Sequence, residues 1–318
     1  MNGISGTMVE RVTRYVQWKQ GLGYSLKVTA RELLRFARFA DETGHQGPLT
    51  TAIILRWAQE AAKDSRLYRA RRVEVTRSLA RFEAAFEPRT QIPHRNIIGP
   101  AHRRIQPYIY NEQEILNLMD TAWLLTPSDG LRPNTYRMLI GLLASTGLRV
   151  CEALNLRRTD FEDDAGRLVI RETKFGKSRI VPLAESVIRA LSDYVCFRDT
   201  YTVRIQTDCF FVSEQGRRLK PSVVDYTFRK IRSDVVLHKT PSKRAPRLYD
   251  LRHTFACRVI QRWYKEGVDV NQRLPYLSTY LGHIKPTDTY WYLSAVPELM
   301  QVVQSRFKDT DISQEGAI

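Results

Sequence analysis

Apolar positions recur at three- and four-residue spacing through most of this chain, and only one stretch alternates. From Met8 to Gln20 the residues Val9, Val12, Tyr15, Val16 and Trp18 fall mostly on one side, which predicts a helix. Gly21-Leu22-Gly23 stops it. A second helix starts near Ser25 or Thr29 and runs to Ala40 or beyond, with Leu33, Leu34, Phe36, Ala37, Phe39 and Ala40 as its apolar set. Gly44 to Pro48 is a loop, after which Thr50 or Thr51 caps a third helix through Ile53, Ile54, Trp57 and Ala58. A fourth begins near Asp64 or Ser65 and extends to about Phe86. It is dense in arginine, with Arg66, Arg69, Arg71, Arg72, Arg77 and Arg81.

The pattern then breaks. Pro88, Pro93, Gly99, Pro100 and Pro107 interrupt any helix between Pro88 and Tyr110, so that stretch reads as a basic, extended linker. Beyond it Asn111 caps a helix with Glu114 at its third position. Another helix covers Thr135 to Ser145 and ends at Thr146-Gly147. Arg167 to Arg171 alternates, Lys174-Phe175-Gly176-Lys177 turns, and Arg179-Ile180-Val181-Pro182 returns: a hairpin. Helices follow at Glu185 to Arg198 and Pro221 to Arg232, with a short hairpin suggested by Phe210-Phe211-Val212 and Gly216 between them. Lys239 to Arg247 is a basic loop, and Pro297 to Phe307 reads as a final amphipathic helix. The expected organisation is a helical domain over 1–90, a linker over 91–109 and an α+β domain over 110–318, mainly α with a small β component.

Composition changes this picture in one respect. At 318 residues and 43% hydrophobic the chain is ordinary for two globular domains. No apolar run approaches the roughly 20 residues that span a bilayer, and Met1 to Thr7 lacks the pattern of a signal peptide. Four scattered cysteines without a Cys-x-x-Cys pair read as reduced thiols of a cytosolic protein. The charge is less ordinary. Fifty Lys and Arg against thirty-four Asp and Glu leave +16, spread along the chain instead of gathered in a tail. Folded basic surfaces of this kind point to a polyanion such as duplex DNA. On the fourth helix Arg66, Arg69 and Arg72 are candidate phosphate contacts; Lys177, Lys243 and Arg244 are candidates in the second half. Taken singly, each is equally an ordinary solvated side chain.

The candidate chemistry lies between Tyr249 and Tyr292. The run Tyr249-Asp250-Leu251-Arg252-His253-Thr254-Phe255 is followed by Leu281-Gly282-His283 and then Thr289-Tyr290-Trp291-Tyr292. It gathers arginine, histidine and tyrosine without metal-ligand spacing. An arginine fork fits phosphate oxygens; a tyrosine, with a free pKa near ~10, needs cationic neighbours before it can attack. Upstream, Thr146-Gly147-Leu148-Arg149-Val150-Cys151-Glu152-Ala153-Leu154 places another guanidinium at a helix amino terminus, where anions are favoured. There is no P-loop and no carboxylate cluster.

These motifs, with their intervening spacing, resemble the active-site half of the tyrosine recombinases, the phage-integrase and Xer-like enzymes. The helical first half is similar in order and size to their core-binding domain. The resemblance implies an all-helical, SAM-like amino-terminal domain and an α+β catalytic domain of the DNA breaking-rejoining fold. It implies Tyr292 as nucleophile, forming a 3′-phosphotyrosyl bond, and Arg149 and Arg252 on the non-bridging oxygens. His283 hydrogen-bonds the phosphate, and Lys174, with Lys177 as second choice, protonates the departing 5′ oxygen. Glu152 is a buried support, and His253 is structural. It further implies no metal or nucleotide cofactor, a homotetramer on a specific double-stranded site, accessory proteins, and a bacterial, nucleoid-associated location without membrane attachment. One position departs: Tyr249 stands where the family usually has histidine, and tyrosine near neutral pH only makes hydrogen bonds. Two alternatives share these features, a type IB topoisomerase and a catalytically idle DNA-binding accessory protein of a mobile element.

Overall fold

In a computed structural model, residues 6–60, 65–102, 106–171, 178–201, 205–239, 244–283 and 285–295 are described. The chain forms two compact units, Met1–Arg104 and Ile105–Ile318. Both are mainly helical. Among the described residues no helix is long and apolar enough to cross a membrane.

The first unit holds α1 (Met8–Gly21), α2 (Lys27–Glu42), α3 (Thr51–Gln59) and α4 (Arg66–Glu83). Side chains cap three of the four amino termini. The Thr7 hydroxyl accepts from the Glu10 N–H while the Glu10 carboxylate accepts from the Thr7 N–H. Thr50 and Ser65 cap α3 and α4. The core is Val12, Leu33, Phe36, Ile54, Trp57 and Leu79, as the helical spacing predicts. Trp18 is the exception: it is 46% exposed at the edge of the apolar face. A buried Arg11–Glu83 ion pair ties α1 to α4, and the Arg11 guanidinium also donates to the Gly47 carbonyl at 2.8 Å. Such a pair is weak evidence for stability, but removing one partner strands the other.

The proline-rich stretch after α4 is held against this unit. The Gln91 N–H donates to the Leu49 carbonyl at 2.8 Å. Arg77 Nε donates to the Pro93 carbonyl at 2.8 Å and Arg71 Nε to the Ala101 carbonyl at 3.2 Å. The residues expected to form a free linker thus pack along α4 as far as Ala101, because arginine side chains supply the partners that the proline-broken backbone cannot find in a helix or sheet.

The second unit is built on α6 (Leu131–Thr146), which packs against α5 (Glu112–Trp123), α8 (Glu185–Thr200) and α10 (Asp250–Lys265). Leu139, Ile140 and Leu143 are buried at its centre. Asn111 and Glu114 make the expected capping box on α5. After the short α7 (Val150–Asn155) comes a three-stranded antiparallel sheet in the order β1 (Phe161–Glu162), β2 (Arg167–Ile170), β3 (Arg179–Pro182). Ile170 pairs with Arg179, which sets the hairpin register, and Leu168, Ile170 and Val181 turn into the core. Phe210 and Phe211 are buried, and the expected hairpin is reduced to one antiparallel bridge, Val212 with Arg218, closed by a turn at Gly216, while Cys209 bridges Arg157. Pro221 opens α9 (Pro221–Ser233) in its first turn, where a missing N–H costs little. A second core lies under α10, α11 (Val270–Leu281) and α12 (Thr287–Ala295), made by Cys257, Ile260, Leu274, Leu277, Leu281 and Tyr292. The expected helix over 297–307 lies outside the described residues.

Candidate active site

The site forms where α11 ends. A helix leaves its last carbonyls without intrahelical partners and presents a partial negative charge there. Here three successive carbonyls are taken by three arginines from three different elements. Arg179 Nε donates to the Tyr280 carbonyl at 2.8 Å. The Arg252 guanidinium donates to the Leu281 carbonyl at 2.7 Å, and Arg149 to the Gly282 carbonyl at 2.9 Å. Gly282 closes the helix in the left-handed conformation, φ +66, and an added Cβ there would lie 3.0 Å from the Arg179 guanidinium. Glycine is required on both counts.

The break after α6 does matching work. Gly147 has φ +63, and a Cβ on it would meet the Phe255 ring at 2.5 Å. Its carbonyl accepts from the Arg252 guanidinium at 2.8 Å. Arg252, on the first turn of α10, is thereby pinned to the ends of two helices and is only 1% exposed. Its Nε is buried without a hydrogen-bond partner. Arg149 precedes α7, as its spacing predicts, and is less enclosed. It donates to Glu152 Oε1 at 2.6 Å through its guanidinium and to Oε2 at 3.0 Å through its backbone N–H. The same carboxylate receives a two-pronged bond from Arg179, at 3.1 and 2.7 Å. Burial pushes the Glu152 carboxyl up, but the hydrogen bonds and charge of Arg179, with those from Arg149, overcome it and hold the group at about 2.

Tyr292, on α12, is 2% exposed and faces this arrangement. Burial pushes its phenol up to about 12, while the charge of Arg252 and a hydrogen bond from it pull the other way. Its ring lies 6.1 Å from His283, nearly parallel, and 5.4 Å from His253, steeply tilted. Burial and the neighbouring arginine charges push His283 down to about 4, so it is neutral at pH 7. His283 Nδ1 lies 2.8 Å from the hydroxyl of the buried Thr289. His253 is pushed down to about 3 by burial and by Arg252 and Arg247. Tyr290, two residues before Tyr292, is 45% exposed and points elsewhere.

Of the residues anticipated from sequence, Arg149, Arg252, His283 and Tyr292 come together with Glu152 as their support. Tyr249 sits at the entrance, 39% exposed, its ring 5.1 Å from His253 and under the Arg247 guanidinium. Lys174, Lys177 and Lys243 lie outside the described residues. Arg244 belongs to the loop before α10. On α4, Arg66 is exposed and reaches the Ile98 carbonyl at 3.4 Å, and Arg69 is half-buried. Arg72 lies 3.7 Å over the Trp57 ring. Two participants went unrecognised in the sequence, Arg179 and Thr289. Arg179 reads as the first residue of a strand, and nothing local to it signals a carboxylate on another element. Thr289 stands six residues after His283, a spacing with meaning only once the turn before α12 is known. Among the described residues no cluster of His, Cys, Asp and Glu is able to hold a metal ion.

The phage integrase family profile matches residues 110–298. The chain is 38% identical over 309 residues to a putative integrase/recombinase, y4rB, of Sinorhizobium fredii, covering 95% of this chain and 97% of that protein. It is 29% identical over 226 residues to tyrosine recombinase XerC of Chlamydia trachomatis, covering 70% of this chain and 66% of that one. Among solved structures, the Tn1549 transposon integrase in complex with transposon right end DNA aligns over 95% of this chain and 99% of its own, with a TM-score of 0.67 at 14% identity. The XerH site-specific recombinase bound to palindromic difH substrate aligns over 88% of this chain and 79% of its own, at 0.64 and 18%.

Proposed function

Because the chain belongs to the phage integrase family of tyrosine recombinases, and so acts in site-specific recombination, we propose that it cuts and rejoins duplex DNA through a covalent 3′-phosphotyrosyl intermediate on Tyr292. The observation that carries this reading is the buried Arg252 guanidinium, fixed by two carbonyls, with its charge acting on the buried Tyr292 phenol. A phenol pushed up to about 12 is a poor nucleophile at pH 7. A scissile phosphate entering between Arg149 and Arg252 has its developing charge met by two cations already in place, which need no reorganisation as the bond forms. The Tyr292 oxygen attacks phosphorus, its proton passing to water, and the bond to the 5′ oxygen breaks. Lys174 supplies the proton to that oxygen. His283 is neutral, and in the tautomer whose Nδ1 accepts from the Thr289 hydroxyl its Nε2–H donates to the phosphate. Tyr249 is a phosphate or water contact. The 5′ hydroxyl of another strand then reverses the attack, and no nucleotide cofactor is consumed.

The same reading extends to a homotetramer on a specific recombination site, assisted by accessory proteins, in the bacterial cytoplasm. Its role there is integration and excision, or resolution, of a mobile element. Arg66, Arg69 and Arg244 are proposed backbone contacts, with Lys177 and Lys243. Arg72 is the least suited of the α4 arginines, since its guanidinium covers Trp57.

A nicked duplex carrying the site, selected from a randomised pool by binding to the wild-type protein, tests the assignment. The wild type is expected to leave a covalent protein–DNA adduct on a denaturing gel, and Tyr292→Phe none. An adduct from Tyr292→Phe would move the nucleophile elsewhere. No adduct from the wild type on DNA it binds would favour a catalytically idle binding protein.

A further inference from the structure

Three arginines surround the end of α11, but the two-arginine chemistry above uses only Arg149 and Arg252. Arg179 is 12% exposed and points away from solvent. All three of its nitrogens are engaged: a fork on Glu152, and Nε on the Tyr280 carbonyl. Glu152 stands between Arg179 and Arg149 and accepts from both. A carboxylate so placed is a threat to the site as well as a support. Paired with Arg149 alone, it would neutralise the charge that the phosphate needs, and a buried acid–base pair at 2.6 Å does not separate cheaply. With Arg179 bound as a fork, the carboxylate is already neutralised from its other side. Two arginine charges around one carboxylate leave one net positive charge, and Arg149 is the less buried of the two, 27% against 12% exposed. At its other end Arg179 lies against the Gly282 peptide and holds the Tyr280 carbonyl, one and three residues before His283.

We propose that Arg179 is a positioning residue for strand cleavage. It balances the Glu152 charge so that the Arg149 charge stays available to a non-bridging phosphate oxygen, and it fixes the turn that presents His283. The inference rests on the recombinase reading of the site. It makes β3 part of the machinery through its first residue.

The test compares two substrates, the nicked duplex with an ordinary scissile phosphate and the same duplex with one non-bridging oxygen replaced by methyl, each stereoisomer separately. The methylphosphonate is neutral, so an arginine that serves the charge of that oxygen is no longer needed. On the phosphate, Arg179→Met is expected to slow adduct formation at saturating DNA by about 100-fold, the order seen when a reacting group is misplaced by an ångström, with DNA affinity little changed. On one methylphosphonate isomer the gap between Arg179→Met and wild type should narrow several-fold, the remainder being the loosened turn before His283, and it should narrow likewise for Arg149→Ala. Arg179→Lys, which keeps charge without the fork, should fall between. Adding Glu152→Gln to Arg179→Met should recover part of the loss on phosphate, because the neutralising carboxylate has gone. Equal gaps on phosphate and on both isomers, with a lowered melting temperature, would reduce Arg179 to a structural role and overturn the proposal, as would an Arg179→Met variant as fast as wild type. Absence of an adduct from the wild type itself is a separate result, and it sinks the recombinase reading before Arg179 is reached.

Discussion

Arginines on α4 and arginines around α11 make the same bond, guanidinium N–H to backbone carbonyl, and to different effect. On α4, the exposed Arg71 and the largely buried Arg77 each donate Nε to a carbonyl of the stretch after the helix. Around α11, Arg149, Arg179 and Arg252 take consecutive carbonyls of one helix end; Arg149 and Arg179 also share the Glu152 carboxylate, and the charge of Arg252 acts on the buried Tyr292 phenol. The first set fastens chain to chain. The second concentrates positive charge where the field of a helix terminus and burial both act on it. A count of arginines, or even a basic helix face, does not separate these cases; what else lies within reach of the guanidinium does.

The contrast breaks most severely at Arg252. Arg252→Ala should cut adduct formation by about 10²- to 10³-fold or more, the loss typical of one fixed donor to a developing negative charge. It should also lower the melting temperature, since each carbonyl left buried and unpaired costs about 1–3 kcal/mol. Arg77→Ala should cost stability alone. A comparable cleavage defect from both would erase the distinction.

Acid sharpens it next. His253 and His283 have pKa values pushed below the unfolded value of 6.5, so the folded state resists protonation and stability falls as pH drops below about 6.5. Glu152, lowered from 4.5 to about 2, contributes fully above about 4.5, and that part, on the order of 3 kcal/mol, is lost as pH falls toward 2. Thermal melts across this range should show two stages, and Glu152→Gln should flatten the lower one. A wild-type profile flat from pH 7 to 4 would contradict the buried, neutral histidines.

The smallest expected effects lie on α4 and split two of its arginines. Arg72→Ala should cost about 1–2 kcal/mol through lost cover on Trp57 and leave the salt dependence of DNA binding unchanged. Arg66→Ala should leave stability nearly unchanged and reduce the log–log salt slope by about 0.9, the share of one phosphate contact. Reversal of the two results would exchange their roles.

The same distinction marks what the sequence reveals. Helices with a clear apolar face were readable to within a few residues: α1, α2 and α9 start near their expected places, and Thr50, Ser65 and Asn111 cap α3, α4 and α5, because starts and caps depend on local backbone needs. Gly147 and Arg149 were legible too, as a left-handed helix end and the residue poised at the next helix. The packing of residues 91–101 onto α4 was not, because its partners are arginine side chains many positions away that look like any solvated face. Nor was α11, whose Pro275 argues locally against a helix and yet stands inside it, with Asp269 as the cap. Arg179 was invisible for the same reason, since its meaning depends on Glu152 and Tyr280, 27 and 101 positions distant.

The double anchorage of Arg252 has a consequence for reading descendants of this chain. The guanidinium closes the ends of α6 and α11, so a lineage that abandoned DNA cleavage would still be held to arginine here by folding. The Tyr292 hydroxyl carries no such obligation: its ring fills the core, and phenylalanine fills the same space. Decay of the activity should therefore erase one oxygen atom first and leave the arginine signature standing. On the proposed function, a retained arginine motif among relatives testifies to the fold, and the phenolic oxygen alone testifies to the chemistry.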